Sequence, residues 1–150
     1  MNDQAERRQR LYRTDAIVLK RRDYGEADRL LTVFTPEHGK LVLLGKGVRK
    51  TQSRKAGHVE LFTHSTLLVA KGRTWDLVTQ AETVDSFLPL RESLLRTSYG
   101  YYVAELLDGF TQEQDAHPAM WRLLCETLER LAASKEETLA LAARFYDLHL

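Results

Sequence analysis

Between Gly39 and Gly57 the chain carries six basic residues, Lys40, Lys46, Arg49, Lys50, Arg54 and Lys55, and not one acid. Ammonium and guanidinium groups strung along a segment suit a row of phosphates better than a single anion, because each neutralises one charge of the row. Gly45 and Gly47 let the backbone approach such a ligand, and Thr51, Gln52 and Ser53 offer neutral hydrogen bonds to phosphate oxygens. Lys20, Arg21 and Arg22 make a second basic cluster. A solvated linker is the plain alternative, but linkers mix both signs, and this one holds none of the chain's 21 acids; polyanion binding is the stronger reading. Single strands also need flat apolar platforms. Of Tyr12, Tyr24, Phe34, Phe62 and Trp75, the two in or beside polar turns, Tyr24 and Trp75, are the platform candidates, and the others are expected in a core.

Other chemistries fit less well. Gly39 to Gly45-Lys46 has five intervening residues where a P-loop needs four, and Gly47 stands where Ser or Thr would ligate magnesium. His58 and His64 on one extended strand would lie about 20 Å apart, too far to share a metal. The single cysteine, Cys125, excludes an intrachain disulfide and a multi-cysteine zinc site, and it falls on an apolar helical stripe. Asp23, Glu26 and Asp28 beside Arg21, Arg22 and Arg29 are explained by turn capping and local ion pairs. No nucleophile, base and orienting group assemble, so no catalytic residue, metal or cofactor is expected.

The elements that must position these groups divide the chain. Its 150 residues, 43% hydrophobic and 29% charged, suit one domain or two small ones, and a formal charge of +1 conceals an asymmetry. Residues 1–80 carry 16 basic and 9 acidic side chains, residues 81–150 carry 6 and 12. Up to about Phe87 the apolar pattern comes in short β-branched and aromatic blocks between turns, giving expected strands at 16–21, 29–35, 40–44, 58–70 and 74–83. In the fourth, Phe62, His64, Thr66 and Leu68 share a face; in the fifth, Trp75 and Leu77. After Pro89 the period becomes 3.6, with stripes Leu95-Tyr99-Tyr102-Val103-Leu106-Phe110, Trp121-Leu124-Cys125-Leu128-Leu131 and Leu139-Ala142-Tyr146-Leu150. Pro118 suits a first turn, and Ser134 with Glu137 has capping-box spacing. The expectation is an α+β chain: a five-stranded OB-fold β-barrel over residues 1–87 that binds nucleic acid, then a helical domain over 88–150. No apolar run approaches the roughly 20 residues that cross a bilayer, and no secretory signal opens the chain, which leads to a cytoplasmic assignment. The last stripe reaches Leu150 without a stop signal, so a longer parent chain is expected.

Residues 15–35, DAIVLKRRDYGEADRLLTVFT, resemble the start of RecO, the bacterial recombination mediator family. His38-Gly39-Lys40, Lys46-Gly47-Val48-Arg49-Lys50 and Glu60-Leu61-Phe62 continue the resemblance in order, from about Tyr12 onward. It implies an OB-fold followed by helices, binding to single- and double-stranded DNA, annealing of complementary strands, and cooperation with RecR and single-strand binding protein to load RecA. By that similarity the DNA surface includes Lys20, Arg21, Arg22, Lys40, Lys46, Arg49, Lys50, Arg54 and Lys55. RecO proteins are usually longer, and some carry a four-cysteine zinc motif, where this chain has only Cys125. Two other readings share the electrostatics: an adaptor whose basic loop takes an acidic partner peptide, and an RNA-binding OB module. In the helical half, a self-contained core is favoured over a groove for a partner's peptide.

Overall fold

In the computed structural model, which describes residues 10–150, the β half curls until its first and fourth strands meet. The strands are β1 (Leu11–Tyr24), β2 (Asp28–Thr35), β3 (Gly39–Gly45), β4 (His64–Ala70) and β5 (Asp76–Asp85). They close in the order β1-β2-β3-β5-β4, antiparallel throughout except where β3 meets β5, which is the OB arrangement expected from the sequence. β1 is long enough to serve two neighbours. Its first half pairs with β4, from Leu11 opposite Ala70 to Ile17 opposite His64, and its second half with β2 as far as Tyr24 opposite Asp28.

Three strand expectations need correction. β1 extends both ways beyond 16–21, because its polar residues Arg13, Asp15 and Lys20 sit on outward positions of a pleat whose inward ones are filled. β4 starts at His64, not at residue 58. Residues Ala56–His58 form a 3-10 turn, and Phe62, at φ 66, breaks the extended run. Phe62 therefore does not share a face with His64, Thr66 and Leu68; those three lie outward, while Ser65, Leu67 and Val69 fill the barrel. β5 begins after Trp75, with Val78 the inward residue.

The helices are α1 (Pro89–Glu92), α2 (Leu94–Phe110), α3 (Pro118–Ala133) and α4 (Leu139–His149). Pro118 opens α3 as expected, but the capping box does not form: Ser134 ends α3, and a 3-10 turn over Glu136–Thr138 leads into α4. The stripes of α3 and α4 hold, with Leu124, Leu128 and Leu131, then Leu139, Ala142 and Tyr146 buried. That of α2 is rotated. Gly100, Val103, Ala104 and Leu107 are buried, whereas Leu95, Tyr102 and Phe110 are exposed. The Phe62 ring sets this orientation, since a Cβ at Gly100 would stand 2.9 Å from it; the helix turns its smallest residue, not its largest, toward the barrel. No helix among the described residues is long and apolar enough to cross a membrane.

Two cores result. Ala16, Val18, Leu31, Val33, Leu43, Leu67, Val69 and Val78 fill the barrel. Ile17, Leu19 and Phe34, on the outside of the same strands, join Phe62, Phe87 and the helices in the other. Ala16 to Leu19 are thus all buried, with alternate residues serving different cores.

One polar joint locks the two parts. The Lys40 ammonium, only 12% exposed, donates to the Asp108 carboxylate (2.9 Å) and to the carbonyls of Asp108 (3.0 Å) and Thr111 (2.8 Å), so all three protons are used. Those carbonyls belong to the C-terminal end of α2, where a cation also meets the negative end of the helix dipole. Lys20 holds the other Asp108 oxygen at 2.9 Å. Burial raises the Asp108 pKa, but the hydrogen bonds and charges of Lys40 and Lys20 outweigh it and hold the carboxyl below its ordinary range. Beyond α2, Gln114 N–H donates to the Lys40 carbonyl (2.9 Å). There Gly39, at φ +67, passes so close to the Asp115 carbonyl that no side chain fits.

On α3's side of the barrel, His64 packs edge-on against Trp121, their rings 5.2 Å apart. Burial lowers its pKa, with Asp15 and Asp85 pulling the other way.

Two measurements test this architecture. Asp108→Asn, and equally Lys40→Met, should lower the unfolding free energy by about 2–3 kcal/mol in denaturant titrations, because each leaves buried partners of the joint unmatched; the double variant should lose less than the sum. For His64, the unfolded chain binds a proton that the folded chain resists. Its contribution is therefore complete above the ordinary histidine range and is lost as pH falls through the lowered folded value. Denaturant titrations between about pH 7.5 and about pH 5, on either side of the free-histidine pKa, should show a drop that His64→Gln abolishes.

Candidate nucleic-acid interface

The bulge at Leu19 decides which way the first basic cluster faces. Val18 lies opposite Val33 and Lys20 opposite Thr32, so Leu19 is the extra residue and the outward parity of β1 changes there. Before the bulge the outward residue is Ile17, beneath the helices; after it, Lys20, Arg22 and Tyr24 face outward in alternation. Arg21, between them, pairs with Glu60 at 2.5 Å.

Lys20, Arg21 and Arg22 line a cleft of about 380 Å³ on the β1–β2–β3 wall, floored by Leu30, Thr32 and Val42, with Trp75 and Glu113 at its sides. Trp75 arrives from the turn between β4 and β5. It is half-buried, and its indole N–H is buried with no acceptor among the described residues. Thus the structure joins the Lys20–Arg22 cluster to one of the two predicted platforms. Tyr24, 43% exposed, stands farther along the same face of β1. Tyr12 is held by Asp76 (3.2 Å) and packs on His38, while Phe34 and Phe62 are buried.

The remaining predicted cations do not form one surface with these. Lys40 is the joint between barrel and helices just described and has no proton left for a phosphate. Arg49 clamps the turn after β1: its guanidinium bonds the carbonyls of Gly25 (2.6 Å) and Asp28 (3.1 Å) and the Asp23 carboxylate (3.3 Å), and its N–H bonds the Ala27 carbonyl. Gly47, at φ +71, donates its N–H to Asp28 (2.7 Å) in the same knot. Lys46 and Lys50 flank that knot and carry no ion pair among the described residues. Arg54 and Lys55 lie instead against β4 and β5, where the Lys55 ammonium donates to the Val78 carbonyl (3.1 Å). The loop between β3 and β4 is therefore a docked strap whose cations divide between two sides of the barrel.

Sequence reasoning missed Arg13, which lies on the β4 side near Arg54, and Asp108, which ties up two of the expected phosphate contacts. Arg13 alternates with buried Thr14 and could have been found by extending the β1 pattern. Nothing local signals Asp108, 68 residues from Lys40. Cys125 is half-buried, and burial, then Glu129 and Asp15, push its thiol up to about 11, so it stays protonated near neutrality. No grouping of His, Cys, Asp and Glu among the described residues has metal-site geometry.

Comparison with known proteins matches both parts of this arrangement. The family model for the recombination protein O N terminal fits residues 9–87, and that for the recombination protein O C terminal fits residues 91–150. A DNA repair protein RecO of Roseiflexus sp. is 45% identical over 143 residues, covering 95% of this chain and 50% of that protein. Another from Pelotomaculum thermopropionicum is 45% identical over 133 residues, 89% of this chain and 52% of the relative; one from Dehalococcoides mccartyi is 39% identical, covering 93% and 54%. The chain spans about half the length of these curated relatives. With the barrel and the helices each matched, in order, by the two halves of one family's description, the chain belongs to the recombination protein O (RecO) family.

Proposed function

We propose that this chain is a DNA-binding module of a recombination mediator in DNA repair, acting in the cytoplasm without covalent catalysis. In this reading residues 1–87 form the nucleic-acid-binding domain and residues 88–150 a helical domain. The module binds single- and double-stranded DNA and anneals complementary strands. Together with RecR it helps load RecA onto strands coated by single-strand binding protein. The observation that carries the reading is the β1–β2–β3 cleft, where Lys20 and Arg22 stand on one bank and Trp75 on another. Cations along a groove fix phosphates, and a ring at its side stacks a base without regard to its identity. Family membership and the relatives' common name, DNA repair protein RecO, support the same direction.

The two banks should separate experimentally. In anisotropy titrations of labelled oligothymidylate across a salt series, log K should fall linearly with log salt, by about 0.7 per phosphate neutralised. Arg22→Glu should weaken binding and flatten that slope by about one phosphate's worth, since Arg22 is exposed and carries no ion pair among the described residues. Trp75→Ala should cost about 1–3 kcal/mol, the worth of one stacked base, at an unchanged slope. Unaltered binding by both variants would remove the cleft from the DNA surface.

A further inference from the structure

A second groove lies on the other side of the barrel. β4 and β5 form the wall opposite β2, and on it a cleft of about 420 Å³ opens among Arg13, Arg54, Lys55, His58, Thr79 and Gln80. Its cations come from two directions, Arg13 from the first half of β1 and Arg54 with Lys55 from the strap before β4. Arg13 and Arg54 are exposed and have no ion pair among the described residues. Lys55 is half-buried over the Val78 carbonyl, and His58 Nδ1 accepts the Thr83 N–H (3.1 Å), so the ring's other nitrogen carries its proton. Glu82 is the one acid on the lining. The floor is Thr66, Leu68 and Ala81, with no Trp, Tyr or Phe anywhere on the groove.

We propose that this β4–β5 groove holds a second nucleic-acid strand by its phosphates alone, at the same time as the β1–β2–β3 cleft holds a first. The inference rests on the DNA-binding reading and extends it. Donors on both banks face a strand's backbone, and without a ring to stack on, its bases remain unstacked by the protein. The two clefts share no lining residue, and the barrel's width stands between them. One strand therefore does not fill both by lying straight.

The test uses the whole chain with two oligothymidylates, one carrying a donor fluorophore and one an acceptor, which cannot pair with each other. Strand number per chain is read by native mass spectrometry and co-occupancy by energy transfer. The unmodified chain should saturate at two strands per chain with transfer. Arg13→Glu with Arg54→Glu should weaken the second binding event at least tenfold, abolish transfer and leave the first event within about twofold, its fold checked by circular dichroism. Arg54→Gln alone, a milder change at an exposed site, should weaken the second event in the same direction. Saturation of the unmodified chain at one strand would overturn the second groove while the first cleft stands, whether the wall then proves empty or takes an acidic peptide. Two strands still held by the double variant would overturn it too. If the unmodified chain binds no strand at all, the DNA-binding reading falls and takes this inference with it.

Discussion

The middle of β1 is buried on both faces, and much of the molecule follows from that. A strand whose inward residues fill a barrel ordinarily shows its outward ones to water. Here Ile17 and Leu19 are as buried as Ala16 and Val18, because the helices cover that part of the wall. Once the helices occupy it, any ligand must use the rest of the barrel's circumference. The bulge at Leu19 is where the strand passes from one regime to the other: just before it the outward residue, Ile17, is apolar and covered, and after it the outward side is cationic and open. One inserted residue thus lets a single strand serve both as a docking rib and as an edge of the candidate interface.

The same junction explains why charge in the barrel half divides between two roles. A cation next to the end of α2 is worth more in the fold than in solution, because it meets orphan carbonyls, a carboxylate and a helix dipole together. Lys40 has that position, and Asp108 reaches Lys20 as well. Arg49 does comparable service at the turn after β1, and Arg21 at Glu60. What remains for a polyanion is a subset: Arg22, Lys46, Lys50, Arg13 and Arg54, with Lys20 and Lys55 engaged but still lining the clefts. The net basic charge of the half raises the local potential in either role, so paired cations still contribute at long range.

How much of this was legible in the sequence depends on the distance over which residues meet. Strand order, the change to helices and the helical stripes of α3 and α4 are local patterns of period two or 3.6, and they read correctly. Phe62 misled twice. Its β-favouring side chain extended β4 backward to residue 58, and its ring, needing space, rotated α2 onto Gly100, where a count of bulky residues points elsewhere. The cations of the loop and of the second cluster read as phosphate contacts because their partners are remote: Glu60 is 39 residues from Arg21, Asp23 is 26 from Arg49 and Asp108 is 68 from Lys40. A charge count finds cations; only the fold shows which are already taken. Trp75 was recognisable from its polar turn, yet its place beside Lys20 and Arg22 required the barrel to close.

The contrast between the two clefts bears on how a protein could bring strands together without reading them. Stacking a base on Trp75 gives affinity but occupies the face of that base, and a strand held at every base in this way is slow to find its complement. Phosphate contacts leave the bases alone. On the proposed reading, a ring-flanked cleft on one wall and a ring-free groove on another would combine the two: one strand kept in place, the other held loosely with its bases outward. The closed barrel suits this division because its strands are hydrogen-bonded to neighbours on both sides and hold the two walls at a fixed separation. The helices seat on a third face through Ile17, Leu19 and Phe34, with Glu113, beyond α2, at the side of the β1–β2–β3 cleft.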